Sequence, residues 1–383
     1  MTSNTTNENL RFEYLDGIRG VAALIVVINH FRNAFYDAKA SSIVYSFAWD
    51  SLNFIFLTGH FCVQLFFVLS GFVLAYNSFY RKNFLNKQLS KRFIRLVLPV
   101  FLSSVIYMLF SNYKLFFFDE LIKINFTNWA SSHWVVNYSI IKFLKRFIFD
   151  FMIFSDWQFI MNINSSLWTI PIELYWSYIL FIIFWLINKI QNIFLKNLIL
   201  IVGVTICILC LTFIGEDFGF LFLGGSLFAL NYSKVVIWRN NKYMNLFLFL
   251  MTLIFVYLIE NNWILIIPSE YINWGTILCL IYIFISIRSN IIHKFFSYPI
   301  FKWLGRISFS LYLLHILIIG SISSKLYIIF SYFRNDFGLL LLLLFTLITS
   351  SIIAHIFTVY IDEPLMKHFD KLYNKINNAI SKK

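Results

Sequence analysis

Apolar residues in this chain come in long runs separated by short polar stretches. A helix needs about 20 predominantly apolar residues to cross a bilayer. On that basis the runs predict about ten spanning helices, near 17–35, 52–77, 94–110, 168–187, 194–214, 217–233, 243–260, 270–287, 304–330 and 338–361. The runs at 94–110 and 217–233 are the weakest of these. Between the third and fourth lies 111–167, rich in aromatics and mixed charges, whose part at 143–161 is apolar enough for an interfacial or re-entrant helix. No internal repeat, Pro- or Gly-rich linker or soluble appendage interrupts the pattern. The chain therefore reads as an all-α, polytopic helix bundle: one membrane domain over 1–370 and a short basic tail over 371–383.

Composition strengthens this reading. Of 383 residues 60% are hydrophobic and 13% charged, with a mean hydropathy of +0.76. Soluble domains carry about 25% charged residues. The imbalance excludes an ordinary cytosolic enzyme, a nucleic-acid-binding protein and a disordered chain. The net charge of +13 reads as an orientation signal. With the N-terminus in the cytoplasm and ten alternating spans, 22 of the 31 Lys and Arg fall inside and 9 outside. Both termini are then cytoplasmic. The opening MTSNTTNENL has no cationic region before the first apolar run, so that run is expected to stay as a helix. Cys62, Cys207, Cys210 and Cys279 all lie in apolar runs; the Cys207–Cys210 pair reads as membrane core, and no metal site is expected.

Charges at bilayer depth cost roughly 2.5–3.5 kcal/mol each on insertion scales, so they point to function. Within the runs stand Arg19, His30, Glu173, His315 and His355, with Asp16, Arg92, Arg95 and Arg306 at the edges. Arg19 and His30 are eleven residues apart. Eleven helical steps return to within about 20° of the start, so both share one face, roughly 16 Å apart along the axis. Glu173 sits near the outer end of the fourth run in the assigned topology, as His30 does in the first. A carboxylate there can orient and activate an imidazole as a general base, or form a structural pair with some other cation. Pro171 is expected to open that helix locally. Arg92 and Arg95, three apart at the mouth of the third run, suit phosphate. Cations at the inner mouth with a His and Glu further out fit transfer of a group from a phosphate-bearing donor. They fit a proton-coupled transporter as well.

Seven segments then resemble, in order, the motifs of the acyltransferase-3 family of integral membrane acyltransferases. They are LDGIRGVAALIVVINH from residue 15, VQLFFVLSGFVLA at 63–75, KRFIRLVLPVF at 91–101, SSLWTIPIELYW at 165–176, FLGGSLFA at 222–229, LGRISFSLYLLH at 304–315 and IDEPLMKH at 361–368. The resemblance implies an acyl-CoA donor, usually acetyl-CoA, entering from the cytoplasm as substrate, with no permanently bound cofactor. It implies as acceptor a carbohydrate hydroxyl, free or lipid-linked, of a lipopolysaccharide O-antigen, capsule or exopolysaccharide. It makes Arg19 and His30 the functional pair, puts Glu173 at the acidic position after Trp168 and Thr169, and sets Arg92 and Arg95 on the donor side.

The expectation is thus an O-acetyltransferase with His30 and Glu173 catalytic and Arg19, Arg92 and Arg95 binding the donor. Asp16, Trp168, Tyr175, Arg306 and His315 stand in support. Its partners are acetyl-CoA, the glycan and the lipid bilayer, with no nucleic acid. The Ile, Asn, Lys and Phe bias fits a bacterial source and its inner (plasma) membrane. The rival readings are the transporter and a non-catalytic partner in a glycan export complex.

Overall fold

A backbone in hydrocarbon has no water to satisfy its N–H and C=O groups, so long apolar runs close their hydrogen bonds internally as helices. The computed structural model describes residues 12–35, 59–80, 85–124, 129, 139–149, 163–190, 218–232, 235, 242–260 and 274–380. Every element among them is helical. They are α1 Glu13–Phe35, α2 Gly59–Tyr80, α3 Leu85–Asn112, α4 Phe118–Ile124, α5 Ile140–Arg146, α6 Thr169–Lys189, α7 Phe218–Leu230, α8 Lys242–Glu260, α9 Trp274–Arg288, α10 Asn290–Phe296, α11 Pro299–Ile318, α12 Ser324–Ile329, α13 Asp336–Phe357 and α14 Glu363–Ile380. A π-turn joins α11 to α12 over Ile319–Ser323, and another joins α13 to α14 over Thr358–Asp362.

By length and composition, six of the described helical stretches can cross a membrane, or seven if the pair α9–α10, bent by 91°, counts as one. Two further apolar helices, Phe218–Leu230 and Tyr243–Phe255, are shorter. The predicted run at 194–214 and most of 143–161 lie outside the described residues. One face of α13, with Ile348, Ile352 and Ile356 four residues apart, is exposed, as a lipid-facing stripe must be.

Three boundaries differ from the sequence reading. The weak run at 94–110 belongs to a 28-residue helix, α3, because the polar stretch from Leu85 continues into it. Pro99 sits inside α3 without ending it. Pro171 falls in the first turn of α6, after the 3-10 turn Ser165–Trp168. The N–H it lacks has no intrahelical partner in that turn, so Pro171 starts the helix instead of opening it. The last run does not end at 361, and the tail from 371 stays helical to Ile380.

The chain divides into two compact units. The first holds residues 1–21, 64–88 and 176–306, and the second 22–63, 89–175 and 307–383. Helix association in a bilayer gains little from hydrophobic burial and relies on close packing through small residues. In the first unit α2 and α7 meet at Gly71 and Gly225. A Cβ at Gly71 would lie 2.1 Å from the Phe222 carbonyl oxygen, and one at Gly225 2.1 Å from that of Val68. Ser226 Oγ donates to the Gly71 carbonyl at 3.3 Å across the same contact. The second unit packs Phe31, Phe35, Phe118, Leu121, Ile316, Ile318 and Leu342 into one apolar core. Polar pairs lock its helices: Ser310 with Thr358 at 2.7 Å and Ser323 with Thr346 at 2.8 Å. Each hydroxyl thereby avoids facing hydrocarbon alone.

Candidate active site

In the first unit the start of α1 lies against α11. A Cβ on Gly305 would stand 2.2 Å from the Asp16 carbonyl oxygen, and one on Gly20 2.3 Å from the Gly305 nitrogen. This backbone contact positions Arg19. Its Nη2 donates to the Gly305 carbonyl and to Asp16 Oδ1, both at 3.1 Å. Beside it a cleft of about 290 Å³ is lined by Glu13, Asp16, Lys302, Trp303 and Arg306. Lys302 Nζ reaches Glu13 Oε2 at 3.1 Å. Arg19 and Arg306 therefore belong to one charged region, with Asp16 as the partner that holds Arg19.

In the second unit α1 meets α11 again. His30 Nδ1 lies 2.7 Å from His315 Nε2, and the two rings are parallel within 5°. His315 is fully buried, and its Nδ1 lies 3.1 Å from the Leu311 carbonyl oxygen. The Trp129 indole stacks on His30 with centroids 5.5 Å apart. The shared face read from the eleven-residue spacing is thus the face turned to α11, with partner offsets of 286 for Arg19 and 285 for His30.

Glu173 meets a cation of another helix, not His30. Its carboxylate pairs with Arg92 of α3, and both side chains are largely buried, 18% and 12% exposed. The reason lies in where α6 begins. Asn164 Nδ2 donates to the Leu313 carbonyl at 2.9 Å, Ser166 Oγ to the Tyr312 carbonyl at 3.2 Å, and Thr169 Oγ1 meets the Tyr312 hydroxyl at 3.1 Å. The helix therefore starts beside the second half of α11, with its first polar side chains buried. One turn on from Thr169, Glu173 meets Arg92; about one turn on from Tyr312, His315 meets His30. The two charged or basic pairs diverge from that crossing.

The other expected residues fall as follows. Arg95 is exposed, so it is not equivalent to Arg92. Trp168 ends the 3-10 turn and is half-buried, whereas Tyr175 is exposed. Sequence reasoning missed Trp129, Tyr312 and the Asn164–Ser166–Thr169 cluster. Trp129 carried no signal beyond an aromatic-rich stretch. The buried Asn164, Ser165 and Ser166 were legible as polar residues ahead of an apolar run, but not as buried ones.

Six or seven helices long and apolar enough to cross a membrane, among the described residues, define an integral membrane protein. Residues 12–360 match the family model described as an acyltransferase domain. The chain belongs to the acyltransferase-3 family, and it is a membrane acyltransferase. Among curated proteins and solved structures none matches it significantly.

Proposed function

We propose that the protein is an O-acetyltransferase moving an acetyl group from cytoplasmic acetyl-CoA to a hydroxyl of a cell-surface carbohydrate. The reading puts ten spans in a bacterial inner membrane with both termini in the cytoplasm, and takes O-antigen, capsule or exopolysaccharide sugars as acceptors. The observation that carries it is the His30–His315 contact at 2.7 Å beside Trp129, in a chain of this family.

His30 acts as general base. Its imidazole takes the proton of the acceptor hydroxyl as the oxygen attacks the thioester carbonyl. The new O–acyl bond forms, the C–S bond breaks, and the leaving thiolate takes the proton back from His30. The face of Trp129 favours the imidazolium that exists between those transfers. Arg19 binds a phosphate of the donor at the inner end, where Asp16 is exchangeable because their link is partly exposed, 32% and 21%. Arg306, Lys302 and Trp303 extend that region. Arg92 contributes indirectly, since any phosphate reaching it competes with Glu173. Arg95 supplies exposed positive charge.

Membranes carrying the wild type, given acetyl-CoA with a labelled acetyl group and a surface glycan extract, should label the glycan. His30→Ala should lower that labelling by about 10²–10⁴-fold, the usual weight of a general base. Full labelling with His30→Ala removes the base assignment. Solute flux into vesicles without acetyl-CoA would favour the transporter instead. Unchanged glycan acetylation with Arg19, His30 and Glu173 all changed to Ala would favour the non-catalytic partner.

A further inference from the structure

We infer that His315 is a positioning residue that fixes the tautomer of His30, so that the lone pair which accepts the substrate proton lies on His30 Nε2. The inference rests on the general-base reading of His30 and adds a second residue and a specified nitrogen to it.

The argument runs along a chain of hydrogen bonds whose direction is forced at one end. The Leu311 carbonyl oxygen can only accept. His315 Nδ1, 3.1 Å away, therefore carries a hydrogen and donates to it. His315 has no exposed surface, and a charge there would lose its hydration, so the resting ring is neutral. A neutral imidazole with its hydrogen on Nδ1 has a lone pair on Nε2. That nitrogen lies 2.7 Å from His30 Nδ1, and one hydrogen must stand between them. It belongs to His30. The neutral His30 ring then holds its own lone pair on Nε2. The order is Leu311 carbonyl, His315, His30, and then the acceptor hydroxyl. The logic is that of a base oriented by a third group, with a neutral imidazole in place of the usual carboxylate. When His30 takes the substrate proton, its Nδ1–H bond to His315 becomes charge-assisted and strengthens, which stabilises the imidazolium as it forms. Nothing else is consumed: the proton leaves with the thiolate, and both rings return to neutral.

The backbone reason for the placement is local. Four residues separate His315 from Leu311, one helical turn, so the ring can bend back onto its own helix. The π-turn at Ile319–Ser323 begins one turn later. Such turns are frequent at functional sites.

The test compares three substitutions in purified protein in lipid nanodiscs, with acetyl-CoA as donor, water as acceptor and release of free CoA thiol as readout. Gln places its amide near the position of Nε2 and keeps an acceptor for His30. Asn places its amide near Nδ1 and keeps only the Leu311 contact. Leu keeps neither. We expect kcat to fall about 10²-fold in His315→Leu, with KM for acetyl-CoA held within about two-fold. His315→Gln should exceed His315→Asn by about ten-fold. With hydroxylamine as acceptor, which needs no base at neutral pH, the Leu deficit should shrink to under about ten-fold. If His315→Leu does not fold, the order of Gln and Asn decides. Equal Gln and Asn rates, or an equal Leu deficit with water and hydroxylamine, would overturn the role of His315. The underlying reading fails separately, and visibly, if the wild type releases no CoA or His30→Ala releases it as fast.

Discussion

Two regions of α1 solve the problem of a polar group at membrane depth in opposite ways. Near its start, Arg19 keeps its charge and is held by a carboxylate and a backbone carbonyl beside a charged cleft. Three turns on, in the second unit, His30 is matched by a second imidazole in an aromatic setting. The first arrangement suits an exchangeable anion, because a partly exposed ion pair holds its partner weakly. The second suits proton transfer, because an imidazole oriented by a second ring can take up and return a proton. The difference teaches that one helix face can recruit two chemistries simply by the partner that α11 offers at each level: Gly305 in one case, His315 in the other.

The largest break in this comparison should come from the Arg92–Glu173 pair, which lies in neither region. Arg92→Leu strands a largely buried carboxylate, and such losses cost about 3–5 kcal/mol. Thermal unfolding in detergent should show the loss, and Arg92→Leu with Glu173→Leu should recover most of it. If the double variant is as unstable as the single, the pair is not what holds α3 to α6.

Gly305→Ala comes next. The added Cβ would press on the Asp16 carbonyl and force the start of α1 from α11, at about 1–3 kcal/mol. The same scan reads it, and donor KM should rise with it. Unchanged stability and KM would mean that Arg19 is not positioned by this contact.

Arg19→Lys keeps the charge but removes the planar fork. KM for acetyl-CoA should rise about ten-fold with kcat nearly constant, the mark of lost uniform binding. A fall in kcat alone would move Arg19 from the donor site to the chemistry. The smallest effect belongs to Glu13→Gln. Its link to Lys302 is exposed at 47% and 40%, and its removal should change stability by less than about 1 kcal/mol.

Much of this was legible residue by residue. The Arg19–His30 spacing gives the shared face because helical geometry is local. His315 was readable as a histidine deep in an apolar run, yet not as the partner of His30, since the two are 285 residues apart. The partner of Glu173 was not legible either, because hydropathy marks where a run is apolar, not which distant side chain its polar residues meet. Asn164 to Thr169 are polar enough to read as a surface end, and only their bonds to Leu313 and Tyr312 show them buried.

By itself, then, the amino-acid order determined the membrane class, most helices and the face of α1, since these follow from transfer energies and a repeat of 3.6 residues. The tertiary structure alone decided that His30 meets an imidazole and Glu173 a guanidinium. Contacts between helices depend on where each starts against its neighbours, and for α6 that place is set by the distant backbone carbonyls that accept from its first polar side chains.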